Sequence, residues 1–198
     1  MKRLLAILLL TPWLLAGCEQ DDEILPDQQK RIVSFLTSSH SPRLVSEAEL
    51  EENSQLPFYT VAGDAVYRYI ESYYNPDRVN WPVVTEESKV TITFRAYLFA
   101  NYSTITEKTI PFFTNDPLLE KAFYDIGLTP GEWSFTPLAV DMASTDIIKG
   151  LYLALVGCRQ GDQVEAYMTY NMAYGDKNFS IIPRESPVAI FFTVNSVE

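Results

Sequence analysis

Asp146-Ile147-Ile148-Lys149-Gly150-Leu151 opens the stretch that decides how this chain folds. Ile147, Leu151 and Leu155 recur at four-residue spacing, and Ile148 widens the same face. Residues so spaced stack on one side of a helix, which predicts a helix over 147–156. Thr145 or Asp146 can cap its free amides, and Gly157 and Gly161 flank the turn that ends it. Next, Val164, Ala166, Met168 and Tyr170 alternate with Gln163, Glu165, Tyr167 and Thr169. Period two means a strand with one buried face. Val188, Ile190, Phe192 and Val194 form another such series, and Ala189 and Phe191 make its second face apolar too. That strand is expected to be central.

Working back toward the N-terminus, residues 90–99 read as a strand, with Val90, Ile92, Phe94 and Ala96 on one side. Residues 103–113 are expected to continue the sheet. Residues 115–137 read as an excursion holding a short helix around Leu118, Leu119 and Phe123, broken by Gly127, Pro130 and Gly131. Residues 58–74 favour strand, since Tyr67 and Tyr69 alternate around Arg68. Residues 39–55 read as loop, with a weak helical turn at 45–50. Residues 27–38 can form a short helix capped by Asp27, with Ile32, Phe35 and Leu36 on one face; packing against the domain is favoured over partner binding. Strands surrounding one helix imply an α+β fold, a curved antiparallel sheet wrapped around a short α-helix.

The first residues carry a different message. Lys2 and Arg3 precede an apolar stretch from Leu4 to Leu15, interrupted only by Thr11 and Pro12. It is short for a spanning helix and reads as an export leader. Leu15-Ala16-Gly17-Cys18 resembles the lipobox of bacterial lipoproteins. That resemblance implies cleavage before Cys18, acylation of Cys18 (palmitate among the chains), and a membrane anchor. More than one acyl chain is needed for firm anchoring, at about 0.8 kcal/mol per buried methylene. The competing reading is an ordinary secretory leader with an incidental cysteine. The acidic run Glu19-Gln20-Asp21-Asp22-Glu23 reads as a solvated tether. It also resembles outer-surface signals of some bacterial lipoproteins, so the expected place is the cell envelope, at the outer membrane. The expected organisation is a signal peptide over 1–17, an acidic tether and short helix over 18–56, and one domain over 57–198, clearest over 85–198.

Composition closes off several function classes. The net charge is −11; losing Lys2 and Arg3 with the leader leaves −13. Such a surface repels nucleic acid phosphates. Beyond Cys18 only Cys158 remains, so no internal disulfide is expected, and Cys158 reads as a small buried filler. His40 is the single histidine, which leaves no conventional zinc cluster and no Ser-His-Asp triad. Neither metal nor cofactor is expected.

Four pieces now stand in order: Asp146 to Leu151, then Gly161, then Met172-Ala173-Tyr174-Gly175, then Ile181-Ile182-Pro183 before the strand 188–194. The succession resembles the C-terminal half of FKBP-type peptidyl-prolyl isomerases. Their pattern runs Val-Ile-x-Gly-Trp, a Gly after the helix, Ala-Tyr-Gly, Ile-Pro and a closing strand. Asp146 to Gly175 matches without a gap, and one residue is missing before Ile181. Ile92-Thr93-Phe94-Arg95-Ala96-Tyr97-Leu98 resembles the family strand Val-His-Tyr-Thr-Gly-Met-Leu. The resemblance covers about residues 85–198.

It implies isomerisation of Xaa-Pro bonds in proline-containing polypeptides. Tyr174 would be the loop tyrosine whose hydroxyl bonds the peptide, and Ile148 would offer its backbone amide. Ile147, Leu151, Phe94, Ile190 and Phe135 would line the proline pocket. This chain also departs from the pattern. Leu151 stands where the family has its pocket-floor tryptophan, with less area and no flat ring. The family's Phe-Asp pair has no clean counterpart, Ile105-Thr106-Glu107 being nearest. Lys177-Asn178-Phe179 replaces the loop histidine. A slow isomerase is therefore the leading expectation. A binding module without turnover and a structural part of an envelope lipoprotein complex stand beside it.

Overall fold

Two ten-residue strands, β4 (Lys89–Leu98) and β8 (Val188–Val197), pair antiparallel and form the spine of the sheet. The computed structural model describes residues 21–127, 134–144, 146–179 and 181–198. The leader, Cys18, Thr145, Pro130 and Gly131 lie outside the described residues. The other strands are β1 (Val45–Ser46), β2 (Phe58–Ala62), β3 (Val66–Ile70), β5 (Phe113–Thr114), β6 (Leu138–Asp141) and β7 (Gln163–Met168). Their order is β1-β2-β3-β7-β8-β4-β5, with β6 also on β4. Every pairing is antiparallel except the short one between β1 and β2. β8 lies between β7 and β4, which explains why both of its faces are apolar. The β2–β3 hairpin turns at Gly63 and Asp64, both with positive φ, the conformation whose twist matches the strands it joins.

Helix α3 (Lys149–Leu155) packs on one face of this sheet. Leu151, Ala154 and Leu155 bury against Val66, Ile92, Phe94, Ala166 and Ile190. Its C-terminal carbonyls do not face empty space: the Arg68 guanidinium donates to Ala154 O at 3.1 Å and Val156 O at 2.6 Å. A cation there also suits the negative end of the helix. The helix starts later than the sequence suggests. Ile148 is its N-cap residue, extended at φ −60° and ψ 142°, with no side-chain cap. Asp146 therefore caps nothing, and the first helical residue is Lys149.

The opposite face carries α1 (Asp21–Ser38), longer than expected: residues 21–25 are helical rather than tether. Asp27 sits inside the helix and pairs with Arg31 at 2.7 Å instead of capping. Ile32, Phe35 and Leu36 pack on Tyr59, Tyr67, Tyr69, Tyr97, Phe99 and Tyr167. These rings are the alternate residues of the strands whose other side holds α3, so the sheet is covered on both faces. Just past α1, His40 is buried among Phe35, Tyr69 and Tyr167. Its Nε2 meets Glu165 Oε2 at 2.8 Å and its Nδ1 meets the Pro42 carbonyl. Burial pulls the imidazole pKa down, but these partners outweigh it and hold the pKa above its usual value. No helix among the described residues is long and apolar enough to cross a membrane.

Two polar inserts hold the sheet's irregular parts. Most of residues 103–113 do not continue the sheet; β5 is only Phe113 and Thr114, flanked by backbone bonds from Phe112 N to Ala96 O at 2.9 Å and from Asn115 N to Phe94 O at 3.3 Å. β5 and β6 then pair with different halves of β4, leaving a gap at Phe94. The Asn115 side chain fills it: Oδ1 accepts from Phe94 N at 2.7 Å, and Nδ2 donates to Ile92 O at 2.9 Å and Thr136 O at 3.0 Å. The chain then forms a short 3-10 turn, Pro117–Leu119, and α2 (Glu120–Asp125), where a short helix was expected. The second insert is Asp162 in the α3–β7 turn, fully buried. It accepts from Arg78 at 2.8 and 2.7 Å and from Arg159 N at 2.7 Å. Cys158, also fully buried, donates to Ala154 O at 3.1 Å, and burial pushes its thiol up to about 11.

Candidate active site

The start of α3 meets the turn after β7 because residue 150 is glycine. A Cβ there would stand 2.3 Å from Met168 Sδ and 2.7 Å from the Met172 carbonyl oxygen. That approach places Ile148, the residue before the helix, on the same side of the sheet as the Tyr170–Met172 3-10 turn and Tyr174 beyond it. β7 ends at Met168, so Tyr170 belongs to this turn and not to the strand.

Six of the seven expected peptide-site residues join one apolar cluster. Phe94, Leu151 and Ile190 are buried in it, and Ile147, Ile148 and Tyr174 pack on it half-buried. Phe135 lies outside this cluster; it packs on Phe123 at 6.1 Å and on Tyr124 at 5.9 Å, both from α2. Leu151, the residue the resemblance would make the pocket floor, is buried in this cluster.

Two aromatic groups escaped the sequence reading. Phe112 packs on the same cluster and meets the Tyr174 ring edge-on at 6.0 Å. The signal was present, since Phe112 immediately precedes β5, but the expected strand over 103–113 hid the bend. Phe179 stacks on Tyr174 with centroids 4.6 Å apart and planes 13° apart. It comes from a small hairpin in which Phe179 and Ile182 exchange backbone bonds at 3.0 and 2.9 Å. Phe179 is 54 % exposed, so its far side faces solvent.

The polar groups of the site are few. Burial lifts the Tyr174 phenol above its usual range, so the hydroxyl stays protonated near neutral pH and remains a donor. Among the described residues this hydroxyl has no hydrogen-bond partner and is not sealed from solvent. The Ile148 amide likewise donates to no described residue, while its carbonyl accepts from Leu151 and Tyr152 at 3.1 and 3.2 Å. Two donors thus border an apolar patch. No group of three or more His, Cys, Asp or Glu among the described residues could hold a metal ion.

Residues 130–195, which contain α3, the Tyr174 turn and most of β8, match the family of FKBP-type peptidyl-prolyl cis-trans isomerases. The match spans about a third of the chain and makes that segment similar to FKBP-type isomerases. A solved peptidyl-prolyl cis-trans isomerase from Pseudomonas syringae pv. tomato str. DC3000 is similar to 92 % of this chain over 99 % of its own, with a TM-score of 0.51 at 10 % identity. At that identity the likeness is one of fold. The three FKBP domains of wheat FKBP73 give a TM-score of 0.49 at 15 % identity, over 71 % of this chain and 51 % of that one. The N-terminal domain of FKBP42 from Arabidopsis thaliana gives 0.47 at 12 % identity, over 75 % and 96 %. No curated protein matches the sequence. The matched segment supplies the helix, the tyrosine turn and the closing strand; Phe94 and Phe112 come from chain that precedes it.

Proposed function

We propose that the FKBP-type domain isomerises Xaa-Pro bonds of envelope polypeptides, with Tyr174 and Ile148 holding the substrate backbone. The observation that carries this reading is the pair of donors, Tyr174 hydroxyl and Ile148 amide, left without described partners at the rim of the cluster around Leu151.

The chemistry asks for nothing more. The barrier to turning the bond is amide resonance, about 18–20 kcal/mol. A dry apolar recess disfavours the charge-separated planar amide and so favours the twisted state, where resonance is lost. Leu151, Ile147, Phe94 and Ile190 supply the apolar wall in this reading, with Phe112 beside them. Tyr174 and Ile148 fix the peptide so that rotation occurs about one bond. No nucleophile, proton store or metal enters. Leu151 favours a second reading, peptide binding without turnover, because a leucine floor offers a prolyl ring less contact than an indole.

Turnover decides between the two. Accelerated isomerisation of a proline peptide is expected, reduced about tenfold in Tyr174→Phe, the order of one lost hydrogen bond to the twisted amide. Absence of any acceleration in the wild type would leave only the binding reading. In that case titration with the peptide must still perturb the NMR signals of Ile148 and Tyr174.

The envelope location rests on Lys2, Arg3, the apolar leader and Leu15-Ala16-Gly17-Cys18. We infer an acylated Cys18 as the first residue of the mature chain. Mass spectrometry of the exported protein is expected to find the acyl mass there; an unmodified cysteine or an intact leader refutes the anchor.

A further inference from the structure

We propose that Gln28 of α1 is a positioning residue for the loop that carries Tyr174, an inference that rests on the isomerase reading of that loop. Gln28 lies on the buried stripe of α1, one turn before Ile32, and is 5 % exposed. A polar side chain at such a place needs partners. It has two, both far along the sequence. Nε2 donates to Glu185 O at 2.8 Å, and Oε1 accepts from Tyr170 N at 2.9 Å.

Those partners are the two stems of the loop. Tyr170 follows the end of β7 and Glu185 precedes β8. From each of them a backbone bond runs to Gly175, the residue after Tyr174: Gly175 N donates to Tyr170 O at 2.9 Å, and Glu185 N donates to Gly175 O at 2.9 Å. Glu185 itself is held at a φ of 57°, a left-handed conformation that a side chain adopts only when its surroundings impose it. One flat amide therefore closes both stems, and the closed stems clamp the peptide beside the tyrosine. Only a side chain with a donor and an acceptor at this spacing can do so. A carboxylate would keep the bond from Tyr170 and set a negative oxygen against the Glu185 carbonyl. An alanine would leave the half-buried Tyr170 amide and the Glu185 carbonyl without this partner. The helix on the far face of the sheet thus sets where the tyrosine hydroxyl stands on the near one.

The experiment compares Gln28→Ala and Gln28→Glu with Ile32→Val in the full chain. Ile32 is fully buried on the same stripe and touches the aromatic face, not the loop. The readouts are kcat/KM on a proline peptide, the Tyr174 ring signals in tyrosine-labelled protein, and the His40 imidazole signals at the other end of α1. In both Gln28 variants the Tyr174 signals are expected to move and kcat/KM to fall about tenfold, as misplaced catalytic groups cost rate. The His40 signals stay put, showing α1 still docked. Ile32→Val lowers the thermal midpoint and leaves Tyr174 and kcat/KM unchanged. Unmoved Tyr174 signals in Gln28→Ala, or equal movement in Ile32→Val, would overturn the inference. A wild type without turnover would remove the isomerase reading alone, since the Tyr174 signals still report whether Gln28 sets the loop.

Discussion

Asp162→Ala is expected to cost about 3–5 kcal/mol of folding stability, the range found when one member of a buried ion pair is removed. Asp162 is fully buried and holds the Arg78 guanidinium with two bonds. Arg78 is itself buried beneath Tyr73, whose ring lies 4.8 Å from the cationic carbon. With the carboxylate gone, a positive charge and the Arg159 amide are left without their acceptor. Domains are stable by only about 5–15 kcal/mol, so a large part of the margin goes. Urea unfolding should show a lower midpoint with an unchanged slope. Pairing Asp162→Leu with Arg78→Met removes both charges together and should recover part of the loss. It should not recover all of it, because the unmet Arg159 amide still costs about 1–3 kcal/mol. A loss below about 1 kcal/mol in Asp162→Ala would mean that this pair does not hold the α3–β7 turn.

Gly150→Ala is expected to damage stability and site together. Alanine is the better helix former by about 1 kcal/mol, which taken alone predicts a gain. Packing predicts the reverse, and packing wins. The new Cβ falls 2.7 Å from the Met172 carbonyl oxygen, which is backbone and cannot swing away, and 2.3 Å from the sulfur of fully buried Met168. Overpacking of this kind costs about 1–3 kcal/mol. The helix start must draw back from the 170–172 turn, carrying the Ile148 amide away from Tyr174. A displacement near 1 Å costs about a hundredfold in rate. Peptide turnover should therefore fall much further than the unfolding midpoint suggests, with the far-ultraviolet dichroism of the sheet retained. An alanine variant with wild-type stability and turnover would show that the close approach is not required.

The parts of this fold legible in the sequence are those governed by period two or by a four-residue repeat. Val90 to Ala96, Val164 to Met168 and Val188 to Val194 each alternate because one face meets α3. Ile32, Phe35 and Leu36 announced a packing face correctly. The misreadings share a cause: short polar side chains and β-favouring residues were read locally, while long-range partners decided their use. Asp27 and Asp146 have the chemistry of caps, yet Asp27 is spent on Arg31 and the α3 start is an extended isoleucine. Residues 103–113 favour strand, but in the register of β5 a strand running back from Phe113 would pass the end of β4 at Leu98 after two residues. Nothing in the sequence marks Asn115 as a substitute for missing strand backbone. The cluster around Tyr174 was legible through motif spacing; Phe112 and Gln28 were not, because their roles depend on a bend and on a helix crossing the other face.

Helix α1 is the first described element of the chain, and part of its seat comes from the last strands. Tyr167 on β7 and Ala189 on β8 belong to the cluster beneath it, and the bond from Gln28 to Glu185 spans 157 positions. Contacts so distant in sequence form slowly, because a long loop must close before they are rewarded. Until β7 and β8 are in place, the apolar stripe of α1 therefore lacks its cover. A protein read as a helper of other chains' proline bonds is expected to be slow in covering its own first helix.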